Sequence, residues 1–304
     1  MSKSTISTFE LFQMFPDEEA AREYIEGRRW PDGVNCPHCG SLDNITPRKG
    51  GFYRCNPCKK DFTVRTGTIY ERSHIPLHKW MYAMYILMTA RKGVSSMQLA
   101  KQIGITQKSA WFMLGRLREA CGNDIETLRG TVEVDEMYVG GREKNKHAHK
   151  RVSGAQGSAT KTAVLGIRER GGRTKAKPVK NVSAAVIQGE IRKTIEAGST
   201  IHTDEHASYA GLAQDYTHEI IVHAAGEYVR DDVTTNGIES VWAVMKRGLH
   251  GVYHHASPKH LHRYVNEFTF RLNDGDVKRH TMDRLNSLTE AGFGPRLTYK
   301  GLIA

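Results

Sequence analysis

No apolar run in this 304-residue sequence approaches the ~18 residues of a membrane span; the longest, around Trp80 to Leu87, suits a core helix. The first residues also lack the apolar stretch of a secretory signal, so a cytoplasmic chain with no membrane partner is expected. No internal repeat or low-complexity tail is found. The Gly140-Gly141 and Gly171-Gly172 pairs read as turns, and nothing matches a phosphate-binding loop, which argues against a nucleotide cofactor. Cysteine is scarce, at five residues, and in a reducing compartment paired cysteines serve as metal ligands rather than disulfides. Acids are scarce in one place: Arg142 to Lys180 holds two, against twelve Lys/Arg, while the rest of the +11 chain is nearly balanced. A solvated loop is the plain explanation of a charge run taken alone. A surface for a polyanion is the functional one, with Lys144, Lys146, Lys150 and Arg151 as candidate contacts.

What is present starts with Cys36-Pro-His-Cys39 and Cys55-Asn-Pro-Cys58, two C-x2-C pairs fifteen residues apart. Each pair sets two thiolates on one tight turn, and two turns supply four sulfurs for a tetrahedral zinc, the spacing of a zinc ribbon. Four cysteines leave no open coordination position, so the site is structural; His38 in place of one cysteine is a weaker alternative. Cys121 stands alone and reads as a small buried hydrophobe. From Pro76 to Gly122 the pattern is helical throughout. Ser95 and Ser96 precede Met97, Leu99, Ala100 and Ile103, and Gly104-Ile105-Thr106 makes a turn. A second helix then carries Ala110, Met113, Leu114 and Leu117 on one stripe. A helix-turn-helix of this kind presents Gln107, Lys108 and Ser109 to a DNA major groove, though two helices and a tight turn also occur as plain core.

After Thr131 the texture changes to short β-rich runs at Thr131–Val139, Ala163–Glu169, Pro178–Val182, Thr200–Thr203 and Glu219–Val222. Helical stretches at Ala184–Ala197 and Ser208–Tyr216 interleave with them, and Ile238–Leu249 and Pro258–Leu272 follow. The fold class is therefore α/β, a mixed sheet flanked by helices, preceded by a small zinc ribbon and a helical segment. The expected divisions are 1–30 (short helical segment), 31–70 (zinc ribbon), 71–126 (helix-turn-helix), 127–275 (catalytic domain) and 276–304 (C-terminal extension). Asp135 shares a strand face with Glu133, and Asp204 closes a β-run at a strand's C-terminal edge, where ligand sites collect. Glu239 and Lys246 lie seven residues apart on a helix, about twenty degrees from eclipsed. Any single acid is more often a surface group. Three from separated segments make an oxygen donor set for two Mg²⁺ (or Mn²⁺) ions acting on a phosphate.

The order of zinc ribbon, helical segment, Val134-Asp-Glu-x-Tyr-Val-Gly-Gly141, Thr203-Asp-Glu-x-x-x-Tyr209 and Asn236-x-Ile-Glu-x-x-Trp-x-x-x-Lys-Arg-Gly248 is distinctive. It resembles bacterial insertion-sequence transposases of the zinc-ribbon DDE group, over nearly the whole chain from about Phe9. The resemblance implies an RNase-H-like catalytic domain whose metal-holding triad is Asp135, Asp204 and Glu239, with Lys246 as the basic residue that follows the third acid. It implies binding to an element's terminal inverted repeats, metal-dependent strand cleavage and strand transfer. The partners are then double-stranded DNA, at element ends and target, and further copies of the chain, as a dimer or larger, at the nucleoid. Some relatives place Asn in the third position, which makes Asn236 an alternative ligand or phosphate contact. His223, at a strand end, is a further candidate to approach the metals. A regulator that keeps the DNA-binding modules and has lost catalysis is the alternative function. A tyrosine nucleophile served by His147-Ala-His149 and Tyr138 is a lesser one.

Overall fold

A computed structural model of the chain describes residues 5–122, 126–141, 143–153 and 157–303; Arg142 and the side chain of Lys150 lie outside the described residues. The chain divides into two compact units, residues 1–123 with 274–304, and residues 124–273.

In the first unit, Ser7 and Glu10 form a capping box that starts α1 (Thr8–Met14), and the Asp17 side chain caps α2 (Glu18–Arg29). Strands β1 (Ile45–Arg48), β2 (Phe52–Cys55) and β3 (Lys60–Thr63) form a small antiparallel sheet. With so little sheet to bury, its apolar support is aromatic: Trp30, Tyr53 and Phe62 pack with ring centroids 5.5–5.9 Å apart. The stretch expected to be helical throughout resolves into α3 (Leu77–Thr89), α4 (Ser96–Ile103) and α5 (Gln107–Ala120). Ser95 and Thr106 cap α4 and α5 through their side chains, and Gly104, at φ 62°, supplies the left-handed residue that ends α4 so tightly.

The second unit is built on β4 (Thr131–Val139), β5 (Thr162–Glu169), β6 (Thr174–Val179), α6 (Ala184–Thr194), β7 (Thr200–Asp204) and β8 (Thr217–Ile221). A short hairpin, β9 (Val229–Arg230) and β10 (Val233–Thr234), leads into α7 (Asn236–Gly248) and α8 (Leu261–Leu272). The five-stranded order is β6-β5-β4-β7-β8, antiparallel through β4, β5 and β6 and parallel from β4 to β8. This is the mixed sheet of an RNase-H-like core. Alternation along β4 fills both faces: Val132 and Val134 pack with Ile187 and Ile191 of α6, while Met137 packs with Ile238, Val241 and Trp242 of α7.

Three expected elements differ. Ser208–Tyr216 is not one helix but two 3-10 turns, Ala207–Tyr209 and Leu212–Gln214, divided at Gly211, whose φ of 101° no right-handed helix accommodates. The helix expected to Ala197 ends at Thr194, because Ile195 turns extended and bridges to Leu128. The run expected at Pro178–Val182 starts earlier, at Thr174, where a tight turn from β5 sets the register.

The chain then returns to the first unit as α9 (Thr281–Ala291) and α10 (Tyr299–Ile303). Leu285 and Leu288 are buried, the Ile69 amide donates to the Gly292 carbonyl at 3.1 Å, and Tyr299 stacks edge-on against Phe112 of α5. Leu302 lies so close to Gly115 of α5 that a β-carbon there would approach it at 2.9 Å. Residues 276–304, set apart in sequence as an extension, thus supply part of the first unit's core. Among the described residues no helix is long and apolar enough to cross a membrane.

Candidate active site

The cysteine pairs meet as their spacing requires. Sγ of Cys36 lies 3.7 Å from that of Cys58, Cys39 lies 3.6 Å from Cys55, and all four sulfurs fall within 4.8 Å of one another. A tetrahedral ion with Zn–S bonds of about 2.3 Å needs sulfurs about 3.8 Å apart, so the set fits zinc without rearrangement. Burial pushes the Cys36 thiol up, but the amides of His38 and Cys39 outweigh it and bring it down to about 7, toward the thiolate a metal requires.

Of the carboxylates, Asp135 lies midway along β4 and Asp204 ends β7, the parallel neighbour of β4. Parallel pairing sets Thr131 beside Thr200 and Glu133 beside His202. The same offset carried two residues further aligns Asp135 with Asp204, on the face that Glu133 shares. Helix α7 crosses this face and is fixed to it twice. The Ile238 amide donates to Glu133 Oε2 and the Trp242 indole to Asp135 Oδ2, both at 2.8 Å. Four helical residues advance about 6 Å and two strand residues about 6.6 Å, so helix and strand stay in step over this contact. The approach leaves no room for side chains between them. A β-carbon on Gly166, the β5 partner of Asp135, would sit 2.3 Å from the Trp242 ring, and one on Gly237 would sit 2.5 Å from Glu133 Oε2.

Burial pushes the Asp135 carboxyl up to about 6, the charges of Glu136 and Asp204 push the same way, and the Glu136 amide and Trp242 oppose them. Asp204 Oδ1 accepts from the His206 amide at 3.0 Å. Glu239, exposed in the first turn of α7, accepts from the Thr235 hydroxyl at 3.1 Å and lies 3.9 Å from His223 Nε2. His223 in turn donates its amide to Glu205, the neighbour of Asp204, at 2.8 Å. Among the described residues no Lys or Arg forms an ion pair with Asp135, Asp204 or Glu239. Among the described residues only the cysteines form a group of three or more ligand atoms within 4.8 Å of one another, so Asp135, Asp204 and Glu239 do not all lie that close together. Asn236 is exposed at the start of α7, its amide bonded to Thr234 Oγ1, and Lys246 is exposed two turns along the helix.

Two acids that sequence reasoning gave no role complete the surroundings. Glu136 accepts from the Tyr209 hydroxyl at 2.5 Å, and burial pushes its carboxyl up. The signal was present, since the first two motifs contain both residues. Glu133 is buried beneath the start of α7 and also faces Arg170 at 3.4 Å. Replacing it by Ala strips a buried amide and a guanidinium of their acceptor, and is expected to cost about 1–3 kcal/mol of stability. Thermal denaturation of Glu133→Ala beside the wild type measures this; an unchanged midpoint contradicts it.

Of the candidate DNA contacts, Gln107 donates to Ser96 Oγ, Lys108 sits over the Tyr299 ring and Ser109 bonds back to Thr106. In the basic loop, Lys146 pairs with Glu143 and Arg151 donates to the carbonyls of Lys144 and Lys146, while the Lys144 side chain is exposed.

A four-cysteine ribbon in one unit and an RNase-H-like mixed sheet in the other agree with the two transposase domains that the chain matches. Residues 16–61 match the transposase zinc-ribbon domain and residues 127–273 the ISXO2-like transposase domain. The chain is 30% identical over 273 residues to the uncharacterized protein in transposable element ISH50 of Halobacterium salinarum, covering 84% of this chain and 91% of that protein. It belongs to the IS1595 family of zinc-ribbon DDE transposases, and its function lies in DNA binding and transposition. Two solved structures align loosely. The Mos1 transposase paired-end complex with left transposon end is 16% identical, with 45% of this chain and 57% of that chain covered at a TM-score of 0.19. The pre-cleavage Mos1 transpososome is 14% identical, with 70% and 78% covered at 0.22. At those scores the likeness carries no argument.

Proposed function

We propose that this chain cuts DNA at the ends of its insertion sequence and joins the freed ends to target DNA, using divalent ions held by Asp135, Asp204 and Glu239. The reading rests on Asp135 and Asp204 lying two residues beyond the paired Glu133 and His202 on adjacent parallel strands, with no Lys or Arg ion-paired to either among the described residues. An all-oxygen, uncompensated acidic pair suits hard cations such as Mg²⁺ or Mn²⁺. When bound, two such ions stabilise the attacking and leaving oxygens of an in-line displacement at phosphorus. Trp242 holds Asp135 in place, and α7 brings Glu239 to the same edge, with Lys246 further along to meet a phosphate. His223 holds Glu239 from the β8 side. Asn236 precedes Glu239 by one turn and serves as a phosphate contact.

The helix-turn-helix, with Gln107, Lys108 and Ser109, grips the element's ends, and the basic loop from Lys144 to Arg151 meets the duplex backbone. Cutting and joining use one site in turn, so no covalent protein–DNA link forms. Two ends must be processed together, which requires at least two copies of the chain.

A strand-transfer assay on element-end DNA with Mg²⁺ tests the reading. Glu239→Gln is expected to lose activity by at least about a hundredfold, and Asn236→Ala by far less. Full activity in Glu239→Gln removes Glu239 from the ligand set. A wild type that binds the ends but never cuts them favours the regulator.

A further inference from the structure

A cavity of about 270 Å³ opens beside the first turns of α5, between Ser109, Phe112 and Arg116 on that helix, Trp80 of α3, and the segment Arg72–Ile75. Its polar wall is basic. Arg72 and His74 are both exposed, and neither side chain has a hydrogen-bond or ion-pair partner among the described residues. Arg72 is also held at φ 54°, a left-handed backbone that a residue with a β-carbon rarely adopts. Strain of this kind collects at ligand clamps.

Arg116 is only 3% exposed, donates through Nη1 to the Ile69 and Glu71 carbonyls, and lies over the Phe112 ring, yet its Nε has no partner. Burial lowers its affinity for the proton, to about 10, and the charge of Arg296 acts in the same direction against Glu71. That one carboxylate is shared: Arg296 pairs with Glu71 at 3.1 Å, and its own Nε is also buried without a partner. Cationic groups outnumber acids around the cavity, and desolvated cations left short of acceptors are costly. An anion in the cavity supplies what they lack.

We propose that this cavity takes one sugar–phosphate unit of the DNA backbone, with the phosphate against Arg72, His74 and Arg116 and the deoxyribose against Phe112 and Ile75. The inference rests on the DNA-binding reading of the helix-turn-helix. The volume exceeds that of a bare phosphate, and the remaining wall is aromatic and aliphatic, as a sugar requires. The position is also right. Ser109 joins the cavity to the helix turn that faces the major groove, and the backbone flanks a groove about 12 Å wide. A contact of this kind sets the register of the helix on the duplex and carries no sequence preference.

Fluorescence anisotropy of the full chain with a mixed-sequence DNA duplex over a KCl series tests this. Arg72→Ala is expected to weaken binding about five- to tenfold at low salt and to reduce the slope of log affinity against log salt by about one, while Arg72→Lys keeps the slope. Neutral methylphosphonate linkages placed singly along an element-end duplex, where the register is fixed, should weaken the wild type at one backbone position, and Arg72→Ala should be indifferent there. Wild-type affinity and slope in the Arg72→Ala/His74→Ala double variant overturn the assignment of the cavity alone. A wild type that binds no duplex overturns the DNA-binding reading and this inference with it.

Discussion

Asp135→Asn is expected to abolish strand cleavage and joining, and at the same time to make the metal-free chain more stable at neutral pH. The loss of activity is about a thousandfold or more, the scale of removing one preorganised stabiliser of a charged transition state. The gain in stability follows from burial. The folded chain holds the Asp135 carboxyl protonated up to about pH 6, whereas the ordinary value is 3.8. Well below pH 3.8 the group is neutral whether folded or not. As pH rises from there through 6, the folded state must give up a proton it retains better than the unfolded state, so stability falls and stays lower at neutral pH. A neutral amide escapes that loss, worth about 3 kcal/mol, but offers one acceptor where the carboxylate offered two, which returns about 1 kcal/mol. Urea denaturation at pH 4 and pH 8 in Mg²⁺-free buffer reads the difference. An equal gap at both pH values, or an active Asp135→Asn, would sink the assignment.

Removal of zinc is expected to have the largest effect on structure. The three short strands β1 to β3 enclose almost no aliphatic core, and their order depends on four thiolates meeting at 3.6–3.7 Å across the paired turns. Structural zinc contributes on the order of 10 kcal/mol to small domains of this kind, far more than the Trp30, Tyr53 and Phe62 contacts can replace. Cys55→Ser, or chelation, should therefore unfold residues 36–63 while the β4–β8 sheet persists. Amide hydrogen exchange on the full chain separates the two: the ribbon amides lose protection and those of β4, β5 and β7 keep it. The structural role of zinc is falsified if ribbon protection survives in Cys55→Ser.

Local features of the fold were the legible ones. The C-x2-C pairs, the turn at Gly104-Ile105-Thr106 and the alternation along Thr131–Val139 each act within a few residues, and each appears where its pattern placed it. Asp204 could be read as a strand-end acid and Asp135 as sharing a strand face with Glu133, but their alignment depends on which strands pair, and no spacing between residues 135 and 204 encodes that. Glu133 was opaque for the same reason, since its partner, the Ile238 amide, lies 105 residues away. The approach of Glu239 to His223 depends on the β8 edge and the β9–β10 hairpin, which have no periodicity of their own. Residues 276–304 read only as an extension, because the residues that α9 packs against lie about two hundred positions earlier in the chain.

That last point affects how the protein is made. Residues 1–123 leave the ribosome first, yet α9 and α10, which complete their core, follow only after the whole second unit. At about 5–20 residues per second the gap lasts roughly ten to thirty seconds, long enough for the enclosed sheet to fold ahead of the unit that carries the helix-turn-helix. A chain that stops short of Thr281 is therefore expected to own a finished acidic edge and an unfinished grip on DNA.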